Sequence, residues 1–357
     1  MRCDALVVGG GPAGSTCARA LHRAGWHVIV ADCARFPREK VCAGWLTPGV
    51  FEALDLDPAE YRAAGLTLQD ITAFRTGLAG GRLIETRYPH VVSYAIRRCE
   101  FDDFLLRRTG ACVLEGTPVL RLRRARGEWI VNEAIRTPLL VGAGGHFCPV
   151  ARHLRGGADR VRPVVAKEVE LKLERGRNPD EAPALYFCRD LKGYGWCVRK
   201  GEYLNVGLGR RETHGFPAHL RRFVASIGAG DLLPPLSDGR WRGHAYLCSG
   251  TGTRPLTAPG ALLVGDAAGL AYPESGEGIG PAIESGRLAA ETLIAAGSGM
   301  DVDALEPYAD AMRRRHPSAA GASLVPRPLV RTAGRLLLRS HTFTRHVVLD
   351  RWFLRRA

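Results

Sequence analysis

Lysine is scarce: Lys40, Lys167, Lys172, Lys192 and Lys200 are only five of the 50 basic residues in this chain of 357. Against 36 acidic residues the formal balance is +14, yet the arginines are scattered through helices, strands and loops rather than gathered into a stripe. That scatter reads as a compositional skew, and no nucleic-acid partner is expected from it. Paired cysteines are missing too. None of the ten falls in a Cys-x-x-Cys pair or beside a histidine at finger spacing, so neither zinc nor a disulfide framework is expected. His146 and Cys148 lie close in sequence, but two further ligands cannot be named, and no metal is assigned. The thiols are expected to be reduced and mostly buried. Long apolar runs are absent as well: nothing approaches the roughly 20 residues of a membrane helix, and Asp4 with three glycines stands where a signal peptide would be apolar. A cytoplasmic protein is the expectation. What remains, 46% hydrophobic and 24% charged residues, is an ordinary globular composition at a length where one core begins to divide into two.

The first thirty-two residues change period in an informative way. Ala5-Leu6-Val7-Val8 is a short apolar strand, Gly9 to Gly14 a turn, and residues 13–24 carry small and apolar side chains at helical spacing until Gly25 stops them. His27-Val28-Ile29-Val30-Ala31 is a second strand, ending at Asp32. This is half of a Rossmann-type sheet. Helix signals return at 100–108, strand character at 119–131 and at Leu139-Leu140-Val141-Gly142. Residues 163–241 alternate with turns, as in Val169-Glu170-Leu171-Lys172-Leu173, and predict a mainly antiparallel sheet. Parallel-type sequence reappears at Ala261-Leu262-Leu263-Val264, followed by a glycine-rich loop and a helix over 278–296. The fold expected is α/β with an α+β insert: a discontinuous Rossmann-type nucleotide domain over 1–65, 90–160 and 245–300, an inserted sheet domain for substrate over 66–89 and 161–244, and a helical C-terminal segment over 301–357.

Gly9-x-Gly11-x-x-Gly14 lies between strand and helix, where a dinucleotide fingerprint must lie, with Asp32 eighteen residues beyond Gly14. The chemistry needs a tight turn at Gly9, backbone close to a pyrophosphate at Gly11, and close helix packing at Gly14. Pro12 and Ala13 open the helix, whose free N–H groups and partial positive charge favour an anion. Asp32 can accept hydrogen bonds from an adenosine ribose. A second cluster selects the cofactor. Gly265-Asp266 ends a buried strand, and Gly276, Gly278 and Ile279 open the helix behind it. An acid there can hold ribityl hydroxyls, and the open helix start can meet the pyrimidine edge of a flavin. Two such sites on one extended cofactor argue for FAD.

Gly265-Asp266-Ala267-Ala268-Gly269, continued by Gly276-Glu277-Gly278-Ile279 and Glu284-Ser285-Gly286-Arg287-Leu288, resembles the flavin-closing motif of the geranylgeranyl reductase family, within the larger group of aromatic-hydroxylase-like flavoproteins. Lys40-Val41-Cys42-Ala43-Gly44 is similar to that family's Lys-x-Cys-Gly-Gly segment near the flavin. Arg98-x-x-Phe101-Asp102 is similar to its Arg-x-x-Phe-Asp helix start, which implies a cofactor-binding role for Arg98. Gly193-Tyr194-Gly195-Trp196 with Lys200-Gly201 and Asn205-Val206-Gly207 resembles its flavin-facing strand pair. The resemblance covers residues 1 to about 295. The chain departs from the pattern at Gly144, where relatives carry an acid that helps bind FAD and reduced nicotinamide, and at Val198-Arg199, where they carry Phe-Pro. It also stops earlier than many relatives.

The resemblance implies an oxidoreductase that reduces carbon–carbon double bonds of a prenyl or other apolar small-molecule or lipid substrate by hydride transfer from flavin N5. Cys42 is a candidate proton donor, redox relay or shape element beside the flavin, with an ordered water as the other candidate donor and a small buried hydrophobe as its plain reading; Trp196 and Tyr194 are the candidates to wall the substrate cavity, or are sheet-core aromatics. A separate electron donor, whether NAD(P)H, ferredoxin or a flavin reductase, is open, and Gly144 speaks against direct reduction by NAD(P)H. The alternative on the same scaffold is an FAD-dependent monooxygenase or halogenase acting on an aromatic or carrier-bound small molecule. Against it, Gly269 stands where hydroxylases commonly have histidine, and Trp196-Cys197-Val198 lacks the halogenase Trp-x-Trp pair. The arginine-rich amphipathic tail over 331–356 suits either packing on its own domain or peripheral contact with the inner membrane face.

Overall fold

The computed structural model describes residues 1–156, 162–174, 181–227, 233–250, 255–297, 302–317 and 327–355. The end of the tail, at 356, lies outside them. The chain forms two compact units: Met1–Arg38 with Cys99–Val161 and Tyr246–Ala320, and Glu39–Arg98 with Arg162–Ala245 and Gly321–Ala357. Residues 39–65 and 90–98, grouped by sequence with the nucleotide domain, lie in the second unit, as does 321–357.

The first unit is built on a six-stranded sheet in the order Thr257–Ala258, Ala261–Leu263, Leu139–Gly142, Ala5–Val8, Val28–Ala31, Cys112–Leu114. All neighbours are parallel except the edge hairpin Thr257–Ala258. Its central strands carry no polar residue because both faces are covered: Leu6, Ile29, Leu140 and Leu262 are fully buried. Each such side chain contributes roughly 1.5–3 kcal/mol on burial. Helix Pro12–Arg23 lays Cys17, Ala18 and Leu21 on the sheet, at the three- and four-residue spacing of one face. A Cβ on Gly286, in helix Ile279–Ala296, would meet the Ala13 carbonyl oxygen at 2.3 Å, so that helix packs backbone-close on the first. The strand character at 119–131 resolves into the hairpin Leu122–Ala125 and Glu128–Val131. Its turn residues, Arg126 and Gly127, have φ of 52° and 82°.

The second unit centres on a seven-stranded sheet: Arg242–Tyr246, Val164–Lys172, Tyr203–Arg210, Gly193–Lys200, Ala184–Phe187, Ala73–Leu78, Ile84–Arg87. Its pairings are antiparallel except between Ala184–Phe187 and Ala73–Leu78. Helix Phe216–Ser226 interrupts the stretch read as sheet. Phe216, Leu220 and Phe223 recur at helical spacing and cover one face, Phe223 resting on the space that a side chain at Gly195 would fill. The opposite face carries Trp196, Val198, Phe187 and Leu185 in a core with Trp45, Phe74 and the C-terminal Leu338, Val348, Leu349 and Phe353. The sheet is thus buried on both sides, and its alternation does not separate core from water.

The cysteines correct one expectation. All ten are free, but only Cys3, Cys17, Cys148 and Cys248 are buried. Cys42, Cys99, Cys188 and Cys197 are half-buried, and Cys33 and Cys112 are exposed. The exposed pair lies just past the strand Val28–Ala31 and at the start of the edge strand Cys112–Leu114. Among the described residues no helix is long and apolar enough to cross a membrane.

Candidate functional site

Two glycines of the turn after Ala5–Val8 have no room for a side chain. Gly9 has φ +115°, and a Cβ there would stand 2.4 Å from the Ala143 carbonyl oxygen; one on Gly14 would stand 1.9 Å from the Gly9 carbonyl oxygen. Gly11 differs: a Cβ there would have only the Arg38 guanidinium, at 3.4 Å, within reach. Gly11 therefore leaves open space at the start of helix Pro12–Arg23, which no side chain caps. Pro12 lacks an N–H, and Ala13 and Gly14 follow with first-turn N–H groups that the helix itself cannot satisfy. Asp32, 8% exposed, accepts from the Gly10 N–H at 2.7 Å and the Ala34 N–H at 2.8 Å, one bond to each carboxylate oxygen. It ties the turn to the strand end and retains lone pairs for a further donor.

Arg38, which sequence reasoning missed, is anchored at this turn. It pairs with fully buried Asp102 at 3.0 Å, and its guanidinium lies 4.7 Å over the Phe36 ring. A fixed planar cation beside free helix N–H groups suits a phosphate. No local signal in the sequence singled Arg38 out, since its partner Asp102 stands between Phe101 and a second acid, Asp103, in an acidic helix start. Arg98, expected to touch the cofactor, is the last residue of the second unit's segment and starts helix Arg98–Arg107; its side chain is buried.

The second glycine cluster meets the first. Gly265 has φ +58°, and a Cβ on it would stand 3.0 Å from Ala13 Cβ and 3.3 Å from Ala282 Cβ. Its N–H is held by Ser285 Oγ at 3.0 Å. Asp266 follows, half-buried, with its Oδ1 3.1 Å from where a Cβ on Gly278 would be. Gly276 has φ +70° and no room beside the Tyr246 hydroxyl, 2.3 Å from the same construction. Helix Ile279–Ala296 opens at Gly278 without a side-chain cap, although Glu277 accepts from the Gly280 N–H at 2.8 Å. Two turns far apart in the chain therefore converge at the carboxyl edge of one parallel sheet, where α/β folds take their ligands. Cradles that any Cβ would fill, two open helix starts and a fixed acid fit an extended flavin dinucleotide. Gly144 is also confined, 3.2 Å from Cys148 Cα at its Cβ position.

In the second unit Cys42 sits on the sheet face opposite helix Phe216–Ser226. Its N–H donates to Glu168 Oε2 at 2.8 Å, and its carbonyl accepts from Lys200 Nζ at 3.3 Å. Lys200, fully buried, donates to Glu170 Oε2 at 2.9 Å, and Arg97 Nε donates to Glu170 Oε1 at 2.8 Å. Trp196 Nε1 donates to Asn205 Oδ1 at 2.7 Å, and Asn205 Nδ2 to Glu170 Oε2 at 3.3 Å. Trp196 is 5% exposed, with its indole over Gly207. Tyr194 is ringed by Trp196, Phe187 and Phe353, centroids 6.2, 5.9 and 5.3 Å away. Trp196 belongs to the packed core of the unit and half-buried Tyr194 packs against it, and a polar network runs from the Cys42 carbonyl through Lys200, Glu170 and Asn205 to Trp196.

The two acids titrate apart. Burial pushes the Glu168 carboxyl up to about 8, and neighbouring Glu170 adds to this against the pull of Lys200 and the Cys42 N–H. For Glu170 burial also pulls upward, but Lys200 and Arg97 outweigh it and hold the group below its ordinary value. At neutral pH the site holds one neutral acid and one carboxylate, an arrangement that separates proton-donor and charge-pairing roles. In the sequence this strand reads only as an alternation of apolar and polar residues, and neither Glu168 nor Glu170 was singled out as a site residue. The register reveals them, since they lie opposite Gly207 and Asn205 on the covered face.

No family model matches the chain. It is 30% identical to the menaquinone reductase of Mycobacterium tuberculosis over 324 residues, 81% of this chain and 76% of that protein. It is 28% identical to the geranylgeranyl diphosphate reductase of Rhodobacter capsulatus over 325 residues, 83% of this chain and 76% of that protein. Among solved structures, a geranylgeranyl bacteriochlorophyll reductase-like protein of Thermoplasma acidophilum superposes with a TM-score of 0.70 at 23% identity, over 94% of this chain and 87% of that one. A probable FAD-dependent monooxygenase from Pseudomonas aeruginosa superposes at 0.65 with 20% identity, over 95% and 96%. The structural likenesses show a shared fold.

Proposed function

The chain belongs to the geranylgeranyl reductase family of FAD-dependent oxidoreductases, and from that premise we propose that it reduces carbon–carbon double bonds of a prenyl or other apolar substrate. The observation that carries this reading is the similarity to named reductases across four-fifths of the chain. Gly9, Gly11, Pro12, Ala13, Gly14 and Asp32 take the pyrophosphate and ribose side of FAD, with Arg38 as an added cation. Gly265, Asp266, Gly276, Gly278 and Ile279 take the flavin side, and Arg98 is retained as a cofactor contact on the strength of its motif. When bound and reduced, FAD supplies a hydride from N5. The second unit serves as the substrate domain.

An isolated trisubstituted alkene is a poor hydride acceptor, so a proton must reach it before or together with the hydride. Cys42, or a water it orders, donates that proton, and Trp196 and Tyr194 form the apolar wall that excludes bulk water. Electrons come from a separate donor, NAD(P)H, ferredoxin or a flavin reductase. The helix Arg327–Leu337 supports peripheral attachment to a lipid surface. Gly334 and Leu338 face inward, against Leu191 and the core, whereas Leu329, Leu336 and Leu337 are 60%, 60% and 44% exposed beside Arg331, Arg335 and Arg339. The reductase reading is tested by incubating dithionite-reduced enzyme anaerobically with prenyl lipids. Product masses should rise by pairs of hydrogens, and no gain across several prenyl substrates would overturn it. The alternative, a monooxygenase or halogenase, is compatible with the same fold; labelled oxygen in a product, with rapid reoxidation of flavin in air, would establish it instead.

A further inference from the structure

We propose that Glu168 and Lys200 are positioning residues that clamp the Cys42 peptide from both sides, and that the charge on Glu168 governs how tightly Cys42 is held and how readily its thiol reacts. Both backbone polar groups of Cys42 are engaged by buried side chains from two different strands, the N–H by Glu168 of Val164–Lys172 and the carbonyl by Lys200 of Gly193–Lys200. The loop lies directly on the ammonium group. A Cβ on Gly44, whose φ is +71°, would stand 2.6 Å from Lys200 Nζ and 2.5 Å from the Ile96 carbonyl oxygen, so the chain can pass only as glycine.

The groups facing Glu168 are Lys200, Glu170 on its own strand, Asn205 on the next, and the Cys42 N–H from the loop, with Arg97 beyond Glu170. With Glu168 neutral, Lys200 and Arg97 face a single carboxylate, and the bond from the Cys42 N–H is an ordinary one. Ionised Glu168 balances the second cation and converts that bond to a charge-assisted one, roughly twice as strong. As pH rises through about 8, the value to which burial pushes Glu168, the bond from the Cys42 N–H strengthens and the loop that an alkylating reagent must enter tightens. The catalytic consequence rests on the proposed use of Cys42 as proton donor, but the clamp itself is a property of the polypeptide.

The test is iodoacetamide labelling of FAD-loaded protein from pH 6 to 10, followed by mass spectrometry of the Cys42 peptide, for wild type and Glu168→Gln. Glutamine keeps the acceptor and cannot ionise. Below pH 7 the two proteins should label Cys42 at equal rates; above pH 8 the variant should label several-fold faster, with exposed Cys33 and Cys112 unchanged as internal references. Superimposable profiles would overturn the proposal, and so would a difference of equal size at every pH, which marks a merely structural role. Hydrogen exchange of the Cys42 amide in the same pair gives a second measure and should be faster in the variant only above pH 8. Failure of prenyl reduction leaves these outcomes standing, and an unchanged labelling profile refutes the clamp even in an active reductase.

Discussion

At the residue scale, single atoms at the turns decide whether the cofactor side forms at all. A methyl group on Gly14 would sit 1.9 Å from a backbone oxygen that has no freedom to withdraw. Gly14→Ala is therefore expected to purify colourless, with flavin absorbance absent after reconstitution with excess FAD. Gly239→Ala, where a Cβ meets nothing within 4 Å and φ is ordinary, should stay yellow. Equal flavin content in the two would show that the Gly9–Gly14 turn does not bind FAD. These glycines were legible in the sequence because a fingerprint is a local pattern. Arg38 was not, since its role comes from Asp102, a partner more than sixty residues away.

At the element scale, the strand pair around Asp190 shows how the second unit's sheet is held. Arg210, at the end of Tyr203–Arg210, is fully buried in its side chain and bonds both oxygens of Asp190, at 3.1 and 2.6 Å. Burial works against the Asp190 charge, but the bonds from Arg210 and the Lys192 N–H outweigh it and hold the carboxyl down to about 2. A depressed carboxyl stabilises the fold fully above its ordinary value of 3.8, and that contribution fades as pH falls toward 2. Asp190→Asn should lower unfolding free energy by about 3 kcal/mol near neutral pH, because it strands a buried guanidinium. Urea denaturation measures the loss, which should shrink at acid pH; a deficit independent of pH would assign the effect to packing instead. Glu168 and Glu170 were hidden at this same scale. Strand alternation locates two faces but does not say that a C-terminal segment, distant in sequence, covers the second.

At the scale of the whole molecule, the exposed leucines of Arg327–Leu337 set the expectation for attachment. Wild-type protein should co-sediment with phosphatidylglycerol vesicles more than with phosphatidylcholine vesicles, and Leu329→Ser/Leu336→Ser/Leu337→Ser should largely stay in the supernatant. Sedimentation unchanged by the triple substitution would dispose of the membrane role. Exposed apolar area beside arginines gains from burial in lipid and from attraction to anionic headgroups together, so the preference should weaken in high salt.

Short-range order in the chain was enough to specify the central parallel strands, both glycine turns and the long helix after Gly278, because each depends on residues within a turn or two of one another, and the choice of FAD followed from reading the two distant turns together. Folding in three dimensions decided the rest. It set Gly265 against Ala13, anchored Arg38 on Asp102, placed helix Phe216–Ser226 over a sheet, left Cys33 and Cys112 in water, and enclosed Glu168, Glu170 and Lys200 beneath the Cys42 loop. The physical reason is that charge state and burial are set by what packs on a group from elsewhere in the chain, and no local pattern of residues encodes that neighbour.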